Sequence, residues 1–397
     1  MTNGVSKISL LTAGRDRPYA LGMASALVGT GTHFDFIGSD EVNGPELHVS
    51  PQVRFLNLRG DQSVQAGLPR KTVRILSYYA RLVGYAFTAR PRIFHILWNN
   101  KFELIDRTLL MLLYKLLGKK IVFTAHNVNI RARDGGDSWL NRATLKFQYR
   151  FCDHIFLHTE RMKAELVSEF GIPEKKVTVI PFGLNSTTPD TDLTPAAARR
   201  RLGLRTDERV LLFFGNIAPY KGLEYLVDAF IGLVAAAHNF RLVIAGRPKG
   251  NEAYWAKILA TINGSSLRDR FLLRIEFVPD AETEVYFKAA DVLVLPYTHV
   301  FQSGVLFLGY NFGLPAIVAD VGALKEEVVE GETGYICRPC DSADLRRAIE
   351  TYFAGELFAN LPARRQSIRE FARDRYSWTK VARMVTAVYT QLNGHHA

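Results

Sequence analysis

The chain has few cysteines and no long apolar run. Its 397 residues include only three cysteines, which excludes a disulfide-stabilised secreted scaffold. No apolar segment reaches the roughly 18–20 residues that a bilayer-spanning helix needs. The first residues, MTNGVSKISLLTAG, contain one lysine and no small-residue cleavage site, so they are typical of a first strand rather than a signal peptide. The expected compartment is therefore the cytoplasm.

Two short motifs suggest metal sites but favour other interpretations. Cys337 and Cys340 form a CxxC without a second pair, so we expect two unpaired loop thiols, and a core position for Cys152. Asp190-Thr-Asp192 is a DxD, a pattern that suggests a metal site. Its place in a stretch rich in Thr, Pro and Asp favours turn chemistry instead.

Positive charge exceeds negative charge, with 50 Lys and Arg against 39 Asp and Glu and a net charge of +11. Such an excess suits nucleic acid, an anionic membrane face or phosphorylated substrates. Nucleic acid is the least favoured, because the chain has no zinc-finger spacing or Arg/Lys tract. LPRKTVRILSYYARLVGYAFTARPR and YKLLGKK mix basic residues with Leu, Tyr and Phe. They fit a helix on a membrane surface and the solvated face of packed helices equally well.

Short apolar runs alternate with longer amphipathic segments along the whole chain. The strand candidates are KISLLTA, HFDFIGS, VRFLNL, IFHILW, KIVFTAH, HIFLHT, VTVIPFG, RVLLFFG, FRLVIAG, LLRIEFVP, VLVLPY and PAIVAD. This spacing predicts βαβ units, and the lack of alternation in several runs fits parallel strands covered on both faces. A polar linker places a domain boundary near residue 190. We therefore predict an α/β protein with two Rossmann-like, doubly wound domains facing across a cleft, with ligands at the carboxyl ends of the strands.

Two turns in the second half predict anion-binding sites. In VLLFFGNIAPYKGLEYLVDAF, Gly215 admits a close backbone approach and Lys221 adds an ammonium beside the start of a helix. Gln302, Ser303 and Gly304 open an apolar helix after VLVLPYTHV, where backbone N–H groups are free. Two anion sites in one domain suggest a diphosphate ligand.

The order of these motifs resembles glycosyltransferase family 4 of the GT-B fold. The resemblance rests on FFGN-x4-KG, LVIAG, FVPDAETEVYFKAADVLVLPY, SGV…FGLPAIVADVGALKEEVVEGETGYI and YSW…VARMVTAVYTQL, with KIVFTAHNVN, HTERMKAELVSEFGI and VTVIPFGLN in the first half. It implies transfer of a sugar from a UDP- or GDP-linked donor to a glycan or polyprenyl-linked acceptor in polysaccharide biosynthesis, without a cofactor or bound metal. It also implies an acceptor domain over residues 1–190, a donor domain over 191–375, and a helix at about 376–397 that packs back on the first domain.

The resemblance implies a donor site in the second half. Lys221 would contact the diphosphate, and Ser303 and Gly304 would direct backbone N–H groups at it. Val278 would lie against the nucleobase. Glu326 would lie near the ribose or phosphates, although a charge at a helix N-terminus is an equal interpretation.

The sequence departs from the family pattern at three positions. Phe301 and Gly309 stand where two glutamates eight residues apart usually lie, and Asn216 replaces the usual arginine of the phosphate loop. Charge compensation at the diphosphate would then rest on Lys221 with Arg247. These changes leave a retaining and an inverting outcome both open.

The missing glutamates raise the question of which group binds the donor sugar. Gln302 is the nearest polar side chain, and its amide both donates and accepts hydrogen bonds. We hypothesise that Gln302 contacts the sugar hydroxyls. A solvent-facing residue at a helix start is the alternative.

The first half has catalytic and acceptor candidates at its strand ends. The resemblance implies that His126 contacts the donor sugar or its leaving oxygen, with a satisfied structural histidine as the alternative. Asp16 is a candidate general base for an inverting displacement, with a helix cap or an ion pair to Arg15 or Arg17 as alternatives. The acceptor candidates, for which a polar loop is an equal interpretation, are Trp98, Asn99, Asn100 and Lys101.

Two rival functions remain open at this stage. One is a nucleotide-sugar epimerase of the same fold, and the other is a non-catalytic nucleotide-sugar-binding subunit, which the missing glutamates and Asn216 suggest. A phosphorylase is less favoured, because no lysine in a pyridoxal-type context stands out. Peripheral association with the inner face of the plasma membrane and the oligomeric state are left open.

Overall fold

The computed structural model describes residues 8–63, 67–133, 136–184, 188–236, 239–248 and 250–394. Contacts divide the chain into unit 1, which comprises Met1–Gly183 and Tyr376–Ala397, and unit 2, which comprises Leu184–Arg375. Unit 1 thus ends before the predicted boundary at residue 190. The parts of our predictions that concern residues 1–7, 185–187 and 395–397 lie outside the described residues.

The strands in the described residues follow the predicted runs but are shorter. They are β1 (Ile8–Leu11), β2 (Phe34–Gly38), β3 (Val53–Asn57), β4 (Ile93–Ile96), β5 (Lys120–Thr124), β6 (His154–Leu157), β7 (Val177–Val179), β8 (Arg209–Phe214), β9 (Phe240–Ala245), β10 (Phe271–Arg274), β11 (Val292–Leu295), β12 (Ala316–Ala319) and β13 (Gly334–Cys337). The last strand was not among the predicted runs. Cys337 therefore ends a strand and is buried, which corrects its prediction as a loop thiol, while Cys340 is exposed and Cys152 is buried.

The helices in the described residues are α1 (Arg17–Gly29), α2 (Leu68–Thr88), α3 (Glu103–Arg107), α4 (Leu109–Leu116), α5 (Ile130–Arg133), α6 (Trp139–Phe151), α7 (Glu160–Phe170), α8 (Pro195–Arg201), α9 (Leu223–Ala236), α10 (Glu252–Gly264), α11 (Asp280–Ala289), α12 (Gly304–Asn311), α13 (Ser342–Ala354), α14 (Glu356–Ala359), α15 (Leu361–Arg375) and α16 (Trp378–Gly394). Short 3-10 turns include Pro219–Lys221 and Lys325–Glu327. Several starts are set by a side-chain cap that accepts from the N–H three residues on, at Asp16, Ser138, Thr159, Thr194 and Asp341.

Unit 1 is a parallel sheet, with the described strands in the order β3-β2-β1-β4-β5-β6-β7. The central strands β1 and β4 pair in parallel, with Leu10 opposite His95, and every residue of both strands is buried. Helices cover both faces, which explains why these strands are continuous apolar runs without alternation. Connections that run in opposite directions from β1 place α1 on one face and α2, α4 and α6 on the other.

The C-terminal helix α16 completes the core of unit 1. Val381, Val385 and Tyr389 are buried in the same apolar cluster as α1 and the central strands. The indole of Trp378, at the start of α16, lies against Gly22 of α1 and against Gly183. A Cβ at either glycine would be 2.2 Å from the Trp378 ring, so only glycine fits at these two contacts.

Unit 2 is a second parallel sheet, with the described strands in the order β10-β9-β8-β11-β12-β13. Its core joins β8, β9 and β11 to α9, α10 and α13. Both units are therefore doubly wound parallel α/β domains, which confirms the predicted fold class. No α-helix among the described residues is long and apolar enough to cross a membrane.

The predicted linker is anchored to unit 2 through its DxD motif. Asp190 pairs with Lys288 of α11 at 2.9 Å and with Arg369 of α15 at 3.7 Å. The backbone N–H and the hydroxyl of Thr191 both donate to the Glu284 carboxylate at 2.9 Å. The motif thus ties the linker to two helices of unit 2.

Candidate active site

Each sheet has a point at which the strand order reverses, and ligands of doubly wound folds bind at the carboxyl ends of the strands there. In unit 2 this switch point lies between β8 and β11, and in unit 1 it lies between β1 and β4. The loops that leave these four strands contain most of the site residues predicted from the sequence.

Glycines bring the loops of unit 2 together at the carboxyl edge of its sheet. Gly215 follows β8 with a φ of 104°, and Gly246 follows β9 with a φ of 146°. A Cβ on Gly246 would lie 1.8 Å from the carbonyl oxygen of Gly215, and a Cβ on Gly222 would lie 2.0 Å from that of Pro296. The backbone after β8 therefore packs directly on the loops after β9 and β11.

Lys221 lies at this switch point and is buried. Its ammonium donates a hydrogen bond to the hydroxyl of Tyr297 and lies 4.1 Å from the centre of the Tyr297 ring. The Tyr297 hydroxyl is in turn hydrogen-bonded to Ser303 Oγ at 3.2 Å. Because Tyr297 accepts from Lys221, its own O–H is left to donate to Ser303. The cation is thus fixed beside the first turn of α12.

Gln302 is the residue in this loop whose polar atoms are least satisfied. Both its amide oxygen and its amide nitrogen are buried and have no hydrogen-bond partner among the described residues. Burying an unpaired amide costs roughly 1–3 kcal/mol. Ser303 is the N-cap of α12 but its side chain does not cap the helix, and Gly304, the first helical residue, is exposed. This segment presents an unpaired amide and the N-terminus of an eight-residue helix.

The remaining donor-site candidates lie at the same edge of the sheet. Asn216 is exposed directly after Gly215. Arg247 follows Gly246, and its guanidinium lies 5.3 Å from the centre of the exposed Phe277 ring. Val278 is buried in the loop after β10, beyond the end of the strand that we predicted to include it. Arg247, Phe277 and Val278 thus come from adjacent strand ends.

Phe301 and Gly309, which stand where the family usually has glutamates, are both buried in unit 2. Phe301 is buried, and its carbonyl oxygen accepts from the N–H of Ala323. A Cβ on Gly309 would lie 2.9 Å from the Leu293 side chain, so a larger residue would have to displace this leucine. Glu326 is exposed in a 3-10 turn rather than at the start of an α-helix.

In unit 1 the loop after β1 has an unusual backbone conformation. Ala13 and Asp16 both adopt positive φ, at 51° and 47°, although neither is glycine. Such conformations cost free energy and cluster at functional sites. The Asp16 carboxylate accepts from the N–H of Tyr19 at 3.3 Å, which bears out the helix-cap interpretation. The pKa of Asp16 is raised by the desolvation of its carboxyl, although this hydrogen bond opposes the shift.

His126 follows β5 and forms a chain of neutral imidazoles with His158. His158 Nδ1 lies 3.3 Å from the carbonyl oxygen of Ile180, and its Nε2 lies 3.1 Å from His126 Nδ1. Because a carbonyl only accepts, His158 carries its proton on Nδ1 and its Nε2 accepts from the Nδ1–H of His126. His126 Nε2 is then an unprotonated acceptor, and it is buried without a hydrogen-bond partner among the described residues.

Burial keeps both imidazoles neutral. Desolvation lowers the pKa of His158 to about 4, against the opposing hydrogen bond to Ile180. Desolvation also lowers the pKa of His126 well below its ordinary value, and the nearby His158 and His95 add to this effect. His126 Nε2 therefore presents a lone pair to a hydroxyl donor rather than a positive charge.

Aromatic rings hold His126 in place. The Trp98 indole stacks on its imidazole with ring centres 4.2 Å apart and an angle of 6°. Tyr19 approaches edge-on at 4.6 Å, and its hydroxyl is buried without a hydrogen-bond partner among the described residues. Trp98 thus supports the histidine directly.

Of the other predicted acceptor residues, two are hydrogen-bonded within unit 1 and one is exposed. Asn99 exchanges two hydrogen bonds with the Gln148 amide, at 3.1 and 2.7 Å. Asn100 accepts from the Tyr78 hydroxyl and donates to Asp106 at 2.9 Å. Both amides are therefore occupied within unit 1. Lys101 is exposed at the rim of a cavity.

The structure adds Tyr19, His158, Phe277 and Tyr297 to these site residues. Tyr297 ends the apolar run VLVLPY, where it reads as a core residue. His158 is the second-last residue of HIFLHT, a strand-end position like that of His126, so the sequence did contain a signal for it. Among the described residues, no three or more His, Cys, Asp or Glu side chains are grouped so as to hold a metal ion.

Comparisons with known proteins agree with this architecture. A sequence profile described as "Glycosyltransferase Family 4" matches residues 19–187, and one described as "Glycosyl transferases group 1" matches residues 208–354. The D-inositol 3-phosphate glycosyltransferase of Geodermatophilus obscurus is 30% identical over 249 residues, or 60% of this chain and 52% of that protein. The chain thus aligns with about half of this relative. The enzyme of the same name from Corynebacterium efficiens is 24% identical over 94% of this chain and 89% of its own length.

Solved structures share the complete fold. Sucrose-phosphate synthase from Thermosynechococcus elongatus superposes with a TM-score of 0.75 at 19% identity, covering 98% of this chain and 100% of that one. Anabaena Alr3699/HepE in complex with UDP-glucose gives a TM-score of 0.73 at 15% identity, covering 97% and 99%.

The two doubly wound units, with candidate sites at their switch points, have the GT-B architecture. Within this class, the chain belongs to glycosyltransferase family 4.

Proposed function

We propose that the chain transfers a sugar from a nucleoside-diphosphate sugar to a glycan or lipid-linked acceptor. The observation that carries this proposal is the buried Lys221, fixed by Tyr297 beside the N-terminus of α12. A lysine ammonium and a helix N-terminus together favour a phosphate ligand. Anabaena Alr3699/HepE, which has this fold, was crystallised with UDP-glucose, which supports a donor of that class.

The mechanism that we propose is electrostatic stabilisation of the leaving group. When the bond between the anomeric carbon and the diphosphate oxygen breaks, negative charge grows on the diphosphate. Lys221 and the N–H groups at the start of α12 are positioned in unit 2 to bind that charge, and Arg247 adds a second cation. This arrangement does the work that a magnesium ion does in other phosphate sites, so we expect no requirement for a metal.

Two groups of unit 1 complete the proposal. His126 Nε2 accepts a hydrogen bond from a sugar hydroxyl, since its lone pair has no partner in the part of the chain that the structure describes. Asp16 remains the candidate base for the acceptor hydroxyl. Desolvation raises the pKa of its carboxyl, which makes the carboxylate a stronger base.

A non-catalytic nucleotide-sugar-binding subunit is the second candidate. It is favoured by Phe301 and Gly309, two buried residues that stand where the family usually has glutamates. Such a protein would still bind the nucleoside diphosphate at Lys221. It differs from an enzyme only in the turnover of the bound donor.

We also propose that unit 1 docks on an anionic bilayer, where a lipid-linked acceptor would be found. Leu109, Leu112 and Leu116 form a stripe on α4 and expose 63%, 42% and 76% of their area. On the same face of the sheet, α2 exposes Leu68, Val73, Leu76 and Phe87 beside the exposed Arg70 and Arg81. Exposed leucines flanked by basic residues suit an anionic lipid surface.

The bilayer proposal is tested by sedimentation with vesicles. L109Q/L116Q should lower binding to vesicles that contain anionic lipid. The control V49Q, at an exposed apolar residue outside α2 and α4, should not. Equal binding of the parent chain to anionic and zwitterionic vesicles would contradict the proposal.

The sugar-transfer proposal is tested with a panel of UDP- and GDP-sugars. Binding is measured by calorimetry, and turnover is measured with and without a membrane lipid extract and with and without EDTA. We expect one donor to bind. It should be consumed only when the lipid extract is present, and EDTA should not prevent this. Conversion of the donor without an acceptor would indicate an epimerase. Binding without any conversion would indicate the non-catalytic subunit.

A further inference from the structure

Unit 1 contains a cavity of about 290 Å³ that the functions described so far do not use. Four basic side chains line it: Arg59 after β3, Lys71 and Arg74 near the start of α2, and Lys101 after β4. Because β3 and β4 are parallel strands of one sheet, Arg59 and Lys101 lie at its carboxyl edge. This is the edge at which ligands of doubly wound folds bind.

Positive charge exceeds negative charge around this cavity. Arg74 pairs with Asp61 at 3.2 Å, and the Glu41 carboxylate accepts two hydrogen bonds from Gln62 of the wall, at 2.6 and 3.1 Å. Asp106, behind the tyrosines of the wall, accepts from the Tyr79 hydroxyl at 3.0 Å, and burial raises its pKa to about 6. Burial lowers the pKa of Arg59 against the opposing effect of Tyr78, and the positive charge of Arg15 adds to the lowering. The balance of charge therefore favours an anionic ligand.

The wall of the cavity is continuous with the loop that carries Asp16. The Arg59 guanidinium donates to the carbonyl oxygen of Ala13 and lies 5.2 Å from the centre of the Tyr78 ring. Gln62 Nε2 donates to the carbonyl oxygen of Gly14 at 2.7 Å. A ligand held in the cavity therefore lies beside the backbone that positions the candidate base.

We propose that this cavity binds a phosphate group carried by the acceptor substrate. Arginine and lysine side chains at a cavity edge match the charge and the oxygen geometry of a phosphate. The volume is at the small end of ligand sites and suits a phosphate with its immediate substituent rather than a whole nucleotide sugar. This inference deepens the proposed sugar transfer. The assignment of the phosphate to the acceptor substrate rests on that proposed function.

The phosphate has two chemical sources, which the experiment separates. One is a phosphorylated monosaccharide in solution, represented by an inositol phosphate as the probe. The other is the head group of a lipid, represented by a polyprenyl phosphate in detergent micelles. Binding of each probe to the full chain is measured by calorimetry in 0.15 M salt, where weak surface attraction is largely screened.

The variant for this test is K71Q/K101Q, and the matched control is R92Q, an exposed basic residue of unit 1 outside this cavity. We expect one probe to bind the parent chain and R92Q alike, and to bind K71Q/K101Q at least tenfold more weakly. Binding of UDP or GDP by unit 2 should be the same in all three proteins.

The outcomes separate this inference from the proposed function. Failure of both probes to bind, or equal weakening by R92Q, would overturn the phosphate site whether or not sugar transfer is observed. Saturable binding that depends on Lys71 and Lys101 supports the site even if no donor is turned over. Preference for the micellar probe identifies a lipid-linked phosphate, and preference for the soluble probe identifies a phosphorylated sugar.

Discussion

Lys221 combines burial with a neutral hydrogen-bond partner, the Tyr297 hydroxyl. A buried ammonium is stabilised most by an anion that approaches it closely. For this reason Lys221 is the main binding group of the proposed donor site. Its position relative to Ser303 is set by Tyr297, which bonds to both.

We predict that Lys221→Met weakens binding of the nucleoside diphosphate and of the donor sugar alike, by roughly 1.5–3 kcal/mol, because a charge-assisted hydrogen bond is lost. Calorimetry with the diphosphate measures this directly. Tyr297→Phe keeps the ring under the ammonium and should cost less. Unchanged affinity in Lys221→Met would remove this lysine from the donor site.

A substitution at Gln302 should affect the free energy of unfolding and sugar transfer differently. Its buried amide has no partner among the described residues, so Gln302→Ala removes a destabilising group. We expect the free energy of unfolding to stay the same or rise, while sugar transfer falls and affinity for the free nucleoside diphosphate is kept. Urea unfolding, turnover and calorimetry test the three parts. A less stable variant with normal turnover would show that the amide serves the fold.

His158 makes the stability of unit 1 depend on pH. Its folded pKa is about 4, below the ordinary value near 6.5, so the unfolded chain binds more protons between these pH values. Stability that this neutral imidazole contributes is therefore present above pH 6.5 and is lost as the pH falls towards 4.

We predict that, between pH 7 and pH 5, the wild type loses about 2 kcal/mol of unfolding free energy relative to His158→Asn. Urea unfolding at several pH values measures the difference. A difference between wild type and His158→Asn that does not vary with pH would contradict the assigned cause.

At the scale of elements, α16 packs on unit 1 through the Trp378 indole, which contacts a glycine on each of two sides. Trp378 touches both Gly22 and Gly183, where a Cβ would be 2.2 Å from the indole. Gly22 lies inside α1, where alanine would otherwise be the better helix former. The contact with α16 thus outweighs the helix propensity of α1.

We predict that Gly22→Ala lowers the free energy of unfolding by about 1–3 kcal/mol, the usual cost of overpacking. Gly84→Ala, inside α2 with open space at its Cβ, should instead stabilise by about 0.5–1 kcal/mol. Urea unfolding compares the two. Adding Trp378→Leu to Gly22→Ala should recover part of the loss, and equal effects at both glycines would refute the packing argument.

At the scale of the whole molecule, the last helix belongs to the first unit. Removing residues 376–397 would take Val381, Val385 and Tyr389 out of the core of unit 1. His95 would lose its hydrogen bond to the Tyr389 hydroxyl inside that core and keep the one to Thr124. Unit 2 ends at Arg375 and contains none of these residues.

We predict that a chain ending at Arg375 loses hydrogen-exchange protection in β1 and β4 but keeps it in β8 and β11. The physical reason is that only unit 1 loses buried apolar area. Exchange measured by mass spectrometry on peptides from both units provides the test. Equal protection in β1 with and without α16 would show that this helix is not required for the core.

Much of the fold could be predicted from local composition. Continuous apolar runs such as KIVFTAH and VLVLPY indicate strands buried on both faces, because helices must cover a parallel sheet on both sides. The placement of Gly215, His126 and Ser303 after such runs puts them at strand ends, since parallel strands share one carboxyl edge. By contrast GYIC, with its glycine and few apolar residues, did not read as a strand, and β13 was missed.

The partners of the site residues could not be predicted in this way. Lys221 and Tyr297 are 76 positions apart, and His126 and His158 are 32 apart. Strand order and the packing of loops at each switch point bring these pairs together, and local sequence patterns do not specify either. For the same reason the sequence pattern left Asn99 and Asn100 open as acceptor contacts or as loop residues, although Gln148 and Asp106 occupy them. The sequence by itself determined which residues lie at the edges of the sheets, because burial follows local apolar content. Only the tertiary structure decided which of their polar atoms are paired and which are left for a ligand, because hydrogen bonding depends on contacts between distant segments.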